Sequence, residues 1–193
     1  MAPKSLSWAT ISTMSDTTPS LPRFVVATVA PGRASVKDDV AQIVIDEVNA
    51  TRFAFVRNVQ VNRLVRSVTV NRERQFIEQL VTNLANSNQA DVIILIGGVG
   101  LGPRDYTCEA VDVLADHRIE GFGEAFRRLM REDLNMGIEA LVARATAGVC
   151  NRCLVVALPR QPEPVRRAIR ELVLPTVAAT VRVASGGVRE ISP

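Results

Sequence analysis

Apolar residues recur along this chain at two spacings. Phe24 to Val29, Val92 to Ile96 and Leu154 to Leu158 are short, nearly unbroken runs. Such runs suit strands buried on both faces. Between them the spacing becomes helical. Val36, Val40, Ile43, Val44 and Val48 share one helical face, on a helix predicted to begin at Ser35 with Asp38 in its first turn. Phe76, Ile77, Leu80 and Leu84 mark a second helix over 72–84, and further helices are predicted at about 106–115, 122–133 and 162–174. Pro162 or Pro164 fits a helix start, where a missing N–H costs nothing. Residues 53–70 alternate apolar with polar positions, as a strand or hairpin with one wet face would.

Strands alternating with helices predict an α/β fold with a mostly parallel sheet. Met1 to Pro22 is rich in Ser, Thr and Pro and lacks a sustained period, so it reads as a flexible tail. It also lacks the apolar core of a secretory signal. The expected organisation is a tail over 1–22, one domain over 23–185 and a short tail over 186–193. No run approaches the roughly 18 apolar residues of a membrane-spanning helix.

Composition narrows the picture further. The chain has 193 residues and a formal charge of +3. Lys4 and Lys37 are the two lysines, so arginine supplies nearly all the positive charge. Arginine forks suit carboxylates and phosphates. With one Trp, one Tyr and six Phe, an aromatic platform for nucleic acid is not expected. Cys150 and Cys153 form a C-x-x-C pair, with Cys108 and the single His117 elsewhere. No second paired motif completes a zinc site, so no zinc is expected. The pair leads straight into a strand and reads as two small apolar residues at its entry. Free thiols suggest a reducing, cytoplasmic setting.

The segment Asp91 to Ala110 carries the chemistry. A buried strand delivers Gly97, Gly98, Gly100 and Gly102 within six residues, and a helix follows. Glycine lets backbone N–H groups approach an anion, and a helix N-terminus adds donors. The lysine and hydroxyl of a P-loop are missing, and Pro103 stands where a dinucleotide fingerprint would need its third glycine. Spacing alone therefore predicts an anion loop or a tight turn. Asp105 and Glu109 lie four apart, on one face if both are helical, and such acids either cap the helix or hold a metal with phosphate.

The pattern G-G-x-G-x-x-x-x-D-x-T-x-E-A over 97–110 resembles the signature of the molybdopterin-binding family, the molybdenum cofactor biosynthesis protein B and molybdopterin adenylyltransferase group. Glu120 to Arg127 resembles its G-F-G-E segment, Arg144 to Val149 its R-x-x-A-G-V segment, and Ala157-Leu158-Pro159 the strand before its last ligand loop. The resemblance is close over 91–165. It implies a three-layer α/β domain with helices on both faces of the sheet, and a homotrimer. It implies molybdopterin, a pterin phosphate, as ligand, and AMP transfer from magnesium ATP in active members. Gly97, Gly98, Gly100, Thr107, Glu109, Gly123, Glu124 and Pro159 are the implied substrate-binding positions, with Asp105 the catalytic and magnesium-binding acid.

This chain departs from the family pattern at several ligand positions. Val99 replaces a threonine, Ala30 to Arg33 replaces Ser-Asp-Thr, Asn71 aligns with an aspartate, Cys108 replaces a proline and Arg160 a glycine. Two expectations follow. One is a molybdopterin-binding cofactor-biosynthesis protein with weak or absent adenylyl transfer. The other is a non-enzymatic paralogue acting as an assembly or interaction module, with residues 1–22 or 53–70 contacting a protein partner. Neither nucleic acid nor membrane is an expected partner.

Overall fold

The computed structural model describes residues 22–31, 39–51, 65–132 and 134–177. Its elements in chain order are β1 (Phe24–Ala30), α1 (Asp39–Ala50), β2 (Val65–Asn71), α2 (Arg74–Asn86), β3 (Val92–Ile96), α3 (Thr107–Leu114), β4 (His117–Arg118), α4 (Phe122–Glu132), α5 (Ile138–Val142), β5 (Thr146–Cys150), β6 (Cys153–Leu158) and α6 (Pro162–Ala168). A π-helical turn, Ile169–Val173, prolongs α6.

The six strands form one sheet in the order β2-β1-β3-β6-β5-β4. The β2-β1-β3-β6 stretch is parallel, and β5 and β4 pair antiparallel at the edge. Strand periodicity sends alternate residues to opposite faces. Phe24, Val26, Ile94 and Val156 pack with α1, α4 and α6 on one face. Val25, Ala27, Ile93 and Val155 pack with α2 and α3 on the other. This is the expected three-layer arrangement. All of β1, β3 and β6 is buried, which is why those runs carry no polar alternation. Each fully buried Ile, Leu or Phe contributes about 1.5–3 kcal/mol, so the three runs dominate the core.

The described elements also differ from the predicted ones. The strand at 65–71 pairs in parallel with β1, so it is not an arm of a hairpin on that side; residues 52–64 lie outside the described set. The predicted helix start at Ser35 and Asp38 lies outside it as well, as do the tails except Pro22. Helix spacing over 162–174 holds through α6, but a π turn occupies its second half. Three short elements, β4, α5 and β5, escaped the periodicity. Cys150 does not simply precede a strand. It ends β5, and Cys153 begins β6 directly opposite. Asn151 and Arg152 between them both take positive φ, 43° and 67°, as a two-residue type I′ hairpin turn requires.

Sheet order positions the site. The connection from β1 leads to β2 on one side, whereas β3 and β6 lie on the other. Ligands in open α/β sheets bind at such a reversal, beyond the carboxyl ends of the strands. The segment that follows β3 begins there.

Candidate ligand loop and its arginine clasp

Gly97 and Gly98 take φ of +98° and +65°, conformations that side chains disfavour. The turn brings the Gly97 N–H onto the Leu158 carbonyl at the end of β6, 2.9 Å away. A Cβ on Gly97 would lie 3.0 Å from the Val29 carbonyl of β1. The loop is thus seated across the ends of β1, β3 and β6. At Gly98 a Cβ would lie 2.5 Å from Thr107 Oγ1. Thr107 is fully buried; its hydroxyl donates to the Gly97 carbonyl at 2.8 Å and its N–H to the Gly98 carbonyl at 2.9 Å. Thr107 therefore ties helix α3 to the loop.

Asp105 folds back into the loop. Its Oδ2 accepts the Gly102 N–H at 3.1 Å. A Cβ at Gly100 or Gly102 would lie 2.6 or 2.8 Å from that oxygen. Both glycines make room for the loop's own carboxylate, which takes one of the N–H donors expected to face a ligand.

Glu109 and Arg144 complete the assembly. Arg144 Nη1 donates to the Gly100 carbonyl at 3.0 Å, and Nη2 pairs with Glu109 Oε1. Glu109 Oε2 is buried with no hydrogen-bond partner among the described residues. Arg144 stands two residues before β5 and joins the loop to α3, a role that its spacing in the sequence does not reveal although Arg144 heads the R-x-x-A-G-V segment. Its guanidinium is held charged: burial works against the charge, but the hydrogen bond to Glu109 and nearby negative charge outweigh that. The Cys108 thiol beside it is pushed up to about 12, chiefly by burial.

The other predicted positions lie around this centre at different removes. Pro159 follows β6, and the Cβ of the next residue, Arg160, lies 3.9 Å from where a Cβ on Gly97 would stand. Gly123 opens α4 against the chain beside Arg144; a Cβ there would lie 2.9 Å from the Ala145 carbonyl. Glu124 pairs with Arg127 at 3.0 Å on the exposed side of α4. Val99 is buried among the α2 and α3 core residues, so the side chain at this position points inward and its lost hydroxyl is not a group on the ligand face. Asn71 ends β2, where its Oδ1 accepts the Glu73 N–H at 3.2 Å. Among the described residues no group of three or more His, Cys, Asp or Glu stands together as a metal cage, and no helix is long and apolar enough to cross a membrane.

Comparison with known proteins agrees with this architecture. A family model described as "Probable molybdopterin binding domain" matches residues 33–179. Molybdenum cofactor biosynthesis protein B of Staphylococcus epidermidis is 44% identical over 103 residues, 53% of this chain and 58% of the relative. The protein of that name from Escherichia coli K12 is 34% identical over 121 residues, 63% of this chain and 70% of the relative. The matched stretch thus spans less than two thirds of the Staphylococcus protein's length. Among solved structures, a molybdenum cofactor biosynthesis protein B superposes with a TM-score of 0.73 at 27% identity, covering 87% of this chain and 98% of the other. The molybdopterin biosynthesis enzyme MoaB of Thermus thermophilus gives 0.69 at 26% identity, covering 86% and 98%.

Proposed function

The chain belongs to the molybdopterin-binding domain family, and from that premise we propose that it works in molybdenum cofactor biosynthesis by holding a pterin phosphate at the loop over 97–109. The glycine loop seated at the sheet reversal carries this reading. Positive φ at Gly97 and Gly98 turns the loop backbone across the strand ends, where N–H groups not taken by Asp105 can meet the phosphate, and the N-terminus of α3 adds its dipole. Glu109 Oε2, buried and unpaired among the described residues, is an acceptor suited to a pterin N–H. Thr107 supports the loop from beneath, and Pro159, Gly123 and Glu124 would complete the site from β6 and α4.

Fluorescence titration of the purified chain with molybdopterin tests the proposal. Wild-type protein should bind, and Gly98→Val should abolish binding while circular dichroism still shows the fold. Positive φ there costs a side chain about 1–3 kcal/mol, and a Cβ would also displace the buried Thr107 hydroxyl 2.5 Å away, so Gly98→Ala, the smaller change, is titrated beside it. Equal binding by both proteins would remove the loop as the site.

Adenylyl transfer should be weak or absent. A magnesium ion bound with a nucleotide uses one or two carboxylates alongside phosphates and water. Asp105 fits that role through its remaining oxygen, and the ion would supply charge neutralisation between the reacting phosphates. On the β2 side, Asn71 offers only an amide, whose oxygen already accepts a backbone N–H. Losing one well-placed charge-stabilising group commonly costs about 10²–10³ in rate. An AMP-transfer assay with molybdopterin and magnesium ATP reads this directly. Turnover restored by Asn71→Asp would support the alignment, and wild-type turnover like that of an active transferase would sink the claim.

The same observations favour a second reading, a divergent paralogue serving as a cytoplasmic assembly module. Leu101 in the loop and Ile138, Leu141 and Val142 on α5 are exposed apolar residues. Residues 1–22 or 53–70 would then contact a protein partner. Copurification of a fluorescent pterin separates the two readings. A homotrimer is proposed in either case, and light scattering at micromolar protein tests it.

A further inference from the structure

Far from the ligand loop, at the opposite end of β6, the hairpin turn sets two thiols face to face. Cys150 and Cys153 are register partners across an antiparallel pair. Opposed residues of such a pair stand about 4.5–5.5 Å apart at Cα and point to the same side of the sheet. A disulfide needs about 4.4–6.8 Å between Cα atoms. Both cysteines are free, Cys150 half-buried and Cys153 buried, and both pack on the α2 and α3 side. The turn between them is short and fixed by its two positive-φ residues. The Asn151 N–H also donates to Asp116 Oδ2 at 2.7 Å, and the Asn151 side chain to Asn86 at 3.0 Å. The turn is therefore anchored through Asn151 to Asp116 and Asn86.

We infer that Cys150 and Cys153 form a reversible dithiol–disulfide pair that exchanges with small-molecule disulfides. In the first step the Cys150 thiolate, the more accessible of the two, attacks one sulfur of a low-molecular-weight disulfide. A mixed disulfide forms and one small thiol leaves. In the second step the Cys153 thiolate attacks Cys150 Sγ within the hairpin and expels the second small thiol. The two protein thiols lose two electrons and two protons, and the small disulfide is reduced to two thiols. Cβ atoms of a closing hairpin pair stand slightly farther apart than a relaxed disulfide prefers, so the product should be readily reduced.

The surroundings set the pace. Burial raises both thiols, Cys153 to about 12. Asp116 adds to the effect on Cys150; Asp91 and Cys150 add to it on Cys153, while Arg23 and a backbone hydrogen bond with Ile93 oppose it. Exchange should therefore be slow at neutral pH. It should quicken with pH, by up to about tenfold per unit while a thiolate is scarce.

The test is incubation of the full chain with oxidised glutathione from pH 7 to pH 9. Titratable thiols should fall from three to one, with loss of two hydrogens and no retained adduct in the intact mass. Trypsin cuts after Arg144, Arg152 and Arg160, so closure should join peptide 145–152 to peptide 153–160. Cys153→Ser should stop at a mixed disulfide on Cys150, and Cys108→Ser should close as wild type does. A persistent adduct on wild-type Cys150, a bridge through Cys108, or three thiols surviving at pH 9 would each overturn the inference. None of these readouts depends on pterin binding.

Discussion

Two glutamates, each held by arginine, serve different ends in this molecule. Glu47 on α1 is buried, and both its oxygens are engaged. Arg166 donates to Oε1 at 3.0 Å, while Arg170 reaches both oxygens from the π turn. Glu109 on α3 engages only Oε1, with Arg144, and leaves Oε2 buried and unpaired among the described residues. A buried polar atom left without a partner costs about 1–3 kcal/mol. The satisfied acid fastens α1 to α6 on the face away from α3. The half-satisfied one borders a glycine loop and keeps an acceptor in reserve. On the proposed reading a ligand completes the hydrogen bond that Glu109 leaves unmet, whereas the fully met cluster has nothing left to offer one.

The largest expected effect of the comparison comes from disturbing the Glu109–Arg144 pair. Glu109→Gln and Arg144→Met should each weaken pterin-phosphate binding at least tenfold, about 1.4 kcal/mol, by fluorescence titration. Glutamine keeps one oxygen but cannot hold the guanidinium as a charged partner, and methionine frees the Gly100 carbonyl. Glu109→Gln should change the melting temperature little, whereas Arg144→Met leaves a part-buried carboxylate unpaired and should lower it. Binding unchanged in both variants would make the contrast between the glutamates merely structural.

The two glutamates were not equally legible in sequence. Glu109 stands in a motif, beside the glycines and Asp105 that drew attention to it. Glu47 lies on a helix where Val40, Val44 and Val48 are buried as their spacing predicts, though Ile45 rather than Ile43 packs on the core, and its partners stand 119 and 123 residues away, beyond any local pattern. The strands divide in the same way. β1, β3 and β6 were visible because burial on both faces demands unbroken apolar runs. β5 was not, since close approach rather than hydrophobicity selects its residues. A Cβ on Gly148 would lie 2.6 Å from that of Ala115. Val99 differs from its expected place at the ligand loop for a related reason: after positive φ at Gly97 and Gly98 its side chain lies in the core.

An effect of opposite character, on stability and not on binding, is expected from Glu47→Gln. Losing the charged hydrogen bonds to two arginines should lower unfolding stability by about 1–2 kcal/mol. Both guanidiniums reach solvent and can rehydrate, which keeps the loss moderate. Urea denaturation should show the drop in midpoint, and the molybdopterin titration should remain as in wild type. A binding defect in this variant would mean that the two clusters communicate across the sheet.

The smallest effect is the pH dependence of that difference, and its sign follows from the pairing. Hydrogen bonds from Arg170, and then from Arg166, hold the Glu47 carboxyl below its ordinary value despite burial. The folded state therefore keeps the proton off at pH values where the unfolded chain binds one. Stability from this group is fully present above the unfolded value, about 4.3, and fades as pH falls through the folded one. Urea midpoints of wild type and Glu47→Gln should differ by a constant amount from neutral pH down to about pH 5. Below that the two should converge, since a protonated Glu47 resembles the amide. Arginine does not titrate in this range, so the convergence belongs to the carboxyl alone. A gap that stayed undiminished as pH fell from about 5 toward 1, the range over which a paired carboxylate takes up its proton, would show that Glu47 acts through its packing. Its two arginines would then be companions of the fold and not its fasteners.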